Sequence, residues 1–174
     1  SDTTTVGADV LMREFEEQRD SYRLREDVVN ISYAIFGERD AANAFRAQLL
    51  RGAAWQAALD SVHTDMPDAL LRSAHKAYFT QASLYPEELW KAARTLKLED
   101  VSYAIRSPAG YCVMIVHSTK TQGEIPDFAY VQEEVRSRIL LRLRRERYQA
   151  LLARLRTQHE IEVKLPSSEN GANE

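Results

Sequence analysis

The chain has 174 residues, about one domain at the usual ~100–200 residues per domain, with room for a core plus an appendage but not for two large catalytic domains. Its 44% hydrophobic and 28% charged composition excludes a disordered or collagen-like chain, and 23 basic against 26 acidic residues (net charge -3) argue against a surface that is basic throughout for polyanions. Cys112 is the single cysteine, so an intramolecular disulfide and a multi-cysteine zinc site are both excluded. No apolar stretch approaches the ~18–20 residues of a membrane span, and the Ser1-Asp2-Thr3-Thr4-Thr5 start lacks the pattern of a signal peptide.

In chain order, residues 8–22 read as an amphipathic helix, with Val10, Leu11, Phe15 and Tyr22 near one face and a mixed-charge outer face. Residues 28–36 are β-branched and aromatic and end at Gly37, which predicts a buried strand. Residues 40–50, spaced by Ala41, Ala44, Phe45 and Leu49, predict a helix, with Gly52 placed for its C-terminal cap. A short helix is expected over 55–59. The stretch 61–84 is the least legible: His63, Asp65, Pro67 and Asp68 suggest a turn, 69–77 a helix and 80–83 a loop. Pro86-Glu87-Glu88 opens a further helix to about residue 97.

Residues 101–106 and 111–117 form a predicted β-hairpin around Ser107-Pro108-Ala109-Gly110. Beyond Gly123 and Pro126 a long helix is expected over 128–158, about 45 Å at ~1.5 Å per residue. Ile161-Glu162-Val163-Lys164-Leu165 alternates as a last short strand, followed by a polar tail expected to be disordered.

This order of elements resembles a parvulin-type peptidyl-prolyl isomerase domain, and the motifs support it. Ile31-Ser32-Tyr33-Ala34-Ile35-Phe36 is similar to the family's opening strand. Leu50-Arg51-Gly52-Ala53-Ala54-Trp55 is similar to its Arg-x-Gly-x-x-Phe/Trp segment, and Leu96-Lys97-Leu98-Glu99-Asp100-Val101-Ser102 to its Leu-Lys-x-Gly-x-Val-Ser segment. Pro108-Ala109-Gly110-Tyr111-Cys112 resembles the closing Pro-x-Gly-Tyr-His, the most specific match. The run from Phe15 to Glu26 and the long final helix resemble the flanks found in SurA- or PrsA-like foldases. The implied fold is α+β: a small antiparallel or mixed sheet surrounded by helices, with flanking helical chaperone-type segments. The implied divisions are a flanking helix (1–25), the isomerase-like domain (26–118), a long helix and strand (119–165) and a tail (166–174).

The resemblance also marks departures. The family's two histidine positions fall on Tyr33 and Cys112, and the glycine-rich loop has no counterpart between residues 61 and 84. The proline slot is retained through Tyr85, Leu89 and Trp90. Substrate-binding candidates are therefore Tyr33, Tyr85, Leu89, Trp90 and Cys112, with no catalytic residue assigned and no metal or cofactor expected.

Each candidate also has a plain structural reading. Cys112 lies inside a strand, where a buried inert thiol is the commoner case, and Tyr33 suits a core tyrosine. His63 and His75 lack metal-ligand spacing, and His117 and His159 read as surface histidines near element ends. The Arg-rich helix (Arg136, Arg138, Arg142, Arg144, Arg145, Arg147, Arg154, Arg156) is read as packing against the acidic first helix rather than binding nucleic acid. The implied function is a foldase that binds unfolded or proline-containing polypeptides in a periplasmic or extracytoplasmic compartment, with weak or lost isomerase activity. An active isomerase with an altered pocket and an assembly protein dimerising through the long helix are the alternatives. A membrane anchor, where one is used, is expected upstream.

Overall fold

The computed structural model describes residues 5–164. It comprises α1 (Ala8–Glu17), a 3-10 turn (Arg19–Tyr22), β1 (Val28–Phe36), α2 (Arg39–Leu50), α3 (Trp55–Asp65), β2 (Leu70–Phe79), α4 (Glu87–Thr95), β3 (Ile105–Ser107), β4 (Gly110–Lys120) and α5 (Phe128–Lys164). Two compact units emerge: Arg19–Asp127, which holds the sheet, and a helical unit containing α1 and α5.

The sheet is antiparallel with strand order β2-β1-β4-β3. β1 lies inside it and is covered on both faces, which is why its sequence is a nearly unbroken apolar run rather than an alternation. Its odd positions Val29, Ile31, Tyr33 and Ile35 pack with Cys112, Met114 and Val116 of β4 against Leu89, Trp90 and Ala93 of α4. On the other face Ala34, Phe36 and Val113 pack against Ala41, Ala42 and Phe45 of α2 and Trp55, Ala58, Leu59 and Val62 of α3. Phe45 is the centre of an aromatic run, 5.3 Å from Phe36 and 4.9 Å from Trp55 between ring centroids. Gly52 after α2 has φ +90°, a left-handed cap conformation that glycine adopts without a Cβ penalty.

Four expectations are corrected. The first helix stops at Glu17, and its last turn continues as the 3-10 turn Arg19–Tyr22. The helix at Trp55 is longer than expected, reaching Asp65. The segment expected to be helical at 69–77 is strand β2, an edge strand that exposes most of its side chains. An edge strand need not alternate apolar and polar residues, and Ala74 and Ala77 biased the local reading toward helix.

The last correction concerns the expected strand over 161–165. α5 continues through Lys164, so Ile161 and Val163 are exposed positions on a helix; Leu165 and the tail lie outside the described residues. Adding one more residue to an existing helix gains a hydrogen bond without a new nucleus, which outweighs the local Ile-Glu-Val-Lys alternation. Its 37 residues span roughly 55 Å.

Within the helical unit, Leu11 and Phe15 of α1 and Val131, Val135 and Ile139 of α5 are buried, and the Phe15 and Phe128 rings lie 5.6 Å apart. Arg142 donates through both terminal nitrogens to the Glu14 carboxylate at 3.0 and 3.2 Å, so the acidic first helix does pair with the Arg-rich one. No described helix is long and apolar enough to cross a membrane.

Candidate functional site

The face of the sheet under α4 carries most of the predicted site. Tyr33 is paired in register with Met114, and Cys112 with Ile35. Tyr33 and Cys112 are therefore diagonal neighbours on one face of the β1–β4 pair, about 7–8 Å apart at their backbones. Leu89 and Trp90 reach the same core cluster from α4.

Four of the five candidates thus come together. Tyr85 does not: it is 67% exposed and absent from the cluster, because it lies in the connection before α4 with its ring turned outward. Its backbone carbonyl, instead, accepts a hydrogen bond from Arg72.

The assembled residues are packed. Leu89 and Cys112 have no exposed surface, and Tyr33 and Trp90 retain only 5% and 7%. The Tyr33 ring lies 5.8 Å from Phe79, with the Arg72 guanidinium 5.5 Å from its centroid. Desolvation pushes the Cys112 thiol up to about 12 against a small opposing pull from Arg72, so at neutral pH it is a protonated thiol. Such a floor presents an aromatic face, a guanidinium and an uncharged sulfur. It has no ionised nucleophile, and among the described residues no group of three or more His, Cys, Asp or Glu side chains could hold a metal ion.

Arg72 and Phe79 are the residues that sequence reasoning missed here. Both belong to β2, and reading that segment as helix and loop removed them from the sheet. The aromatic pair Tyr78-Phe79 was the local strand signal, outweighed by the surrounding alanines.

His117 is also placed differently from expectation. It lies within β4, its side chain is 16% exposed, and it bonds to Ser32 and Glu99 on the face opposite Tyr33 and Cys112. It continues the alternation of Val113 and Ile115 on that face, so being two residues beyond Ile115 in β4 places its ring beside Ser32.

Residues 6–133, well over half the chain, match the PPIC-type PPIASE domain family. Among solved structures, the chain is similar to the peptidylprolyl isomerase PrsA of Bacillus anthracis (18% identity over 75% of this chain and 57% of that one, TM-score 0.41). It is also similar to PrsA of Bacillus subtilis (15% identity over 99% and 59%, TM-score 0.44). A SurA-like chaperone of Campylobacter jejuni matches at 13% identity over 94% and 65%, with a TM-score of 0.43. The chain thus spans less than two thirds of each of these structures. No curated protein matches significantly. By its family match, the chain belongs to the PPIC-type, or parvulin-type, peptidyl-prolyl isomerases.

Proposed function

We propose that this protein is a parvulin-family foldase that binds unfolded or proline-containing polypeptide segments, outside the cytoplasm, with isomerase turnover weak or lost. The observation that carries the reading is the chemistry at the two positions which the sequence resemblance assigns to the family's histidines. Prolyl isomerisation breaks no bond but must cross a barrier of about 18–20 kcal/mol set by amide resonance. Two imidazoles can exchange a shared proton between ring nitrogens as a carbonyl twists; a buried phenol side chain and a thiol with a pKa of about 12 offer no pair of ring nitrogens to do so. The apolar lining around Leu89 and Trp90 supports contact with proline rings and other apolar side chains once the packed floor opens. The extracytoplasmic setting is supported by the likeness of Phe15 to Glu26 to the flanking helix of exported foldases.

A protease-coupled assay on an Xaa-Pro peptide tests the reading, run beside suppression of aggregation of a chemically unfolded polypeptide. The expected result is isomerisation within about twofold of the uncatalysed rate, with aggregation suppressed at stoichiometric protein. Acceleration of ~100-fold or more, abolished by Leu89→Ala, would overturn it in favour of an active isomerase with an altered pocket.

A second reading, self-association through α5, is favoured by one observation: Leu141, Tyr148, Leu151 and Leu155 are all at least half exposed on that helix. Light scattering over a concentration series decides it, since a mass that stays monomeric excludes the dimer.

A further inference from the structure

On the sheet face opposite Tyr33 and Cys112, three strands converge on one hydroxyl. Ser32, fully buried on β1, has its Oγ 2.7 Å from His117 Nε2 on β4 and 3.0 Å from His75 Nδ1 on β2. The same oxygen accepts the Lys76 backbone N–H at 2.9 Å. Beyond it, His117 Nδ1 lies 3.1 and 3.2 Å from the two Glu99 carboxylate oxygens. His75 stacks on Trp55 of α3, with centroids 5.4 Å apart and planes at 15°.

Both neighbouring strands are irregular at this point. Along β2 the pairing passes from Ile31↔Ala77 to Tyr33↔Ala74, so that Ser32 faces both His75 and Lys76. Along β4 it passes from Asn30↔Ser118 to Ile31↔Val116, leaving His117 as the extra residue. The β2 bulge brings His75 to the Ser32 face, where His117 already lies by regular alternation with Ile115, and Lys76 adopts φ +50°, an unfavourable conformation for a residue with a side chain. Strain and bulges on two sides of one hydroxyl are the kind of feature that accompanies a functional constraint.

Proton counting gives the consequence. A serine hydroxyl has one hydrogen to donate and two lone pairs. Lys76 occupies one lone pair, so one imidazole nitrogen must be bare, to accept the hydroxyl hydrogen, and the other must carry a hydrogen, to donate to the remaining lone pair. With His117 donating Nδ1–H to Glu99 and otherwise neutral, its Nε2 accepts from Ser32 and His75 Nδ1–H donates to Ser32. One added proton on His117 Nε2 reverses both bonds: Nε2–H donates to Oγ, the hydroxyl turns to His75, and His75 changes tautomer. Both arrangements satisfy every group. With both imidazoles charged, three donors face two lone pairs and the hydroxyl hydrogen has no acceptor.

We propose that Ser32 joins His75 and His117 into a one-proton site, and that a second proton opens it by releasing His75 from Ser32 and Trp55, loosening edge strand β2. The charged groups acting on His75 favour this order of events. Lys76 on its own strand and His117 across β1 both repel a cation there, Glu99 lies on the far side of His117, and α3 presents the uncharged Trp55. Partial desolvation of its ring, then Lys76 and His117, hold His75 below its ordinary 6.5. A depressed value makes the neutral form the folded one, so stability is full above about pH 6.5 and is lost as pH falls through the folded value. Because β2 also carries Arg72 and Phe79 under Tyr33, the release reaches the opposite face through the same strand. The proposal stands independently of whether the Tyr33–Cys112 face catalyses isomerisation.

The test is a pH titration of the imidazole resonances of the 15N-histidine-labelled protein, with tryptophan emission followed in parallel between pH 7 and 5. The expected result is that the His75 and His117 resonances change together rather than independently as pH falls. Ser32→Ala is expected to uncouple the two responses. His75→Gln, an exposed substitution that keeps the fold testable should Ser32→Ala misfold, is expected to abolish the pH-dependent part of the emission that Trp55 contributes. A joint response unchanged by Ser32→Ala would overturn the proposal, as would emission whose pH response is the same with and without His75.

Discussion

At the residue scale, Cys112 shows how environment sets chemistry. Between Tyr111 and Val113 on β4, its sulfur is wholly enclosed under α4, and the missing solvation of a thiolate raises its pKa to about 12. Only the thiolate alkylates. Iodoacetamide at pH 8 is therefore expected to modify the folded protein at least ~1000-fold more slowly than the urea-unfolded chain, where the thiol returns to about 8.5. Mass spectrometry of timed aliquots measures it, and equal rates would mean that the thiol is accessible in the folded state. The apolar neighbours of Cys112 made its burial legible in the sequence. Its relation to Tyr33, two positions away across a strand pair, depends on register and was supplied by the resemblance rather than by the residues alone.

At the element scale, the hairpin and β2 contrast. Gly110 opens β4 at φ +129°, and a Cβ there would meet the Phe36 carbonyl oxygen at 2.5 Å. That backbone atom cannot step aside without moving β1, so Gly110→Ala combines a conformation closed to side chains with a steric overlap. We expect a loss of about 2–3 kcal/mol in urea unfolding, from a lower midpoint at unchanged slope. A variant as stable as the parent would show that the turn has an unstrained alternative. Pro108 and Gly110 made this hairpin readable in advance. In contrast, β2 stayed hidden because its two-against-one register at Ser32 breaks the period-two pattern, and as an edge strand it buries little. The same slip concealed the convergence of His75 and His117, residues 42 positions apart whose shared partner is Ser32.

At the scale of the molecule, the two apolar clusters that sandwich the sheet draw all their members from the unit Arg19–Asp127. A fragment of residues 19–127 is accordingly expected to unfold in one cooperative thermal transition, with far-UV circular dichroism retaining the sheet and losing the α1 and α5 contribution. Gradual, non-cooperative melting would show that the helical unit is needed for the sheet to form. The sequence by itself determined the α+β class, the positions of β1, α2, α4 and β4, the hairpin turn though not its first strand, which is only Ile105–Ser107 rather than 101–106, the pairing of an acidic with an Arg-rich helix, and the family. These rest on short-range periodicity, turn chemistry and local motifs, which adjacent residues carry. Only the tertiary structure decided that residues 70–79 form an edge strand, that Tyr85 points outward while Leu89 is enclosed, and that Ser32 sits between two imidazoles. Each of these is set by register and burial across distant strands, where a shift of one residue sends a side chain to the other face and no local pattern records the choice.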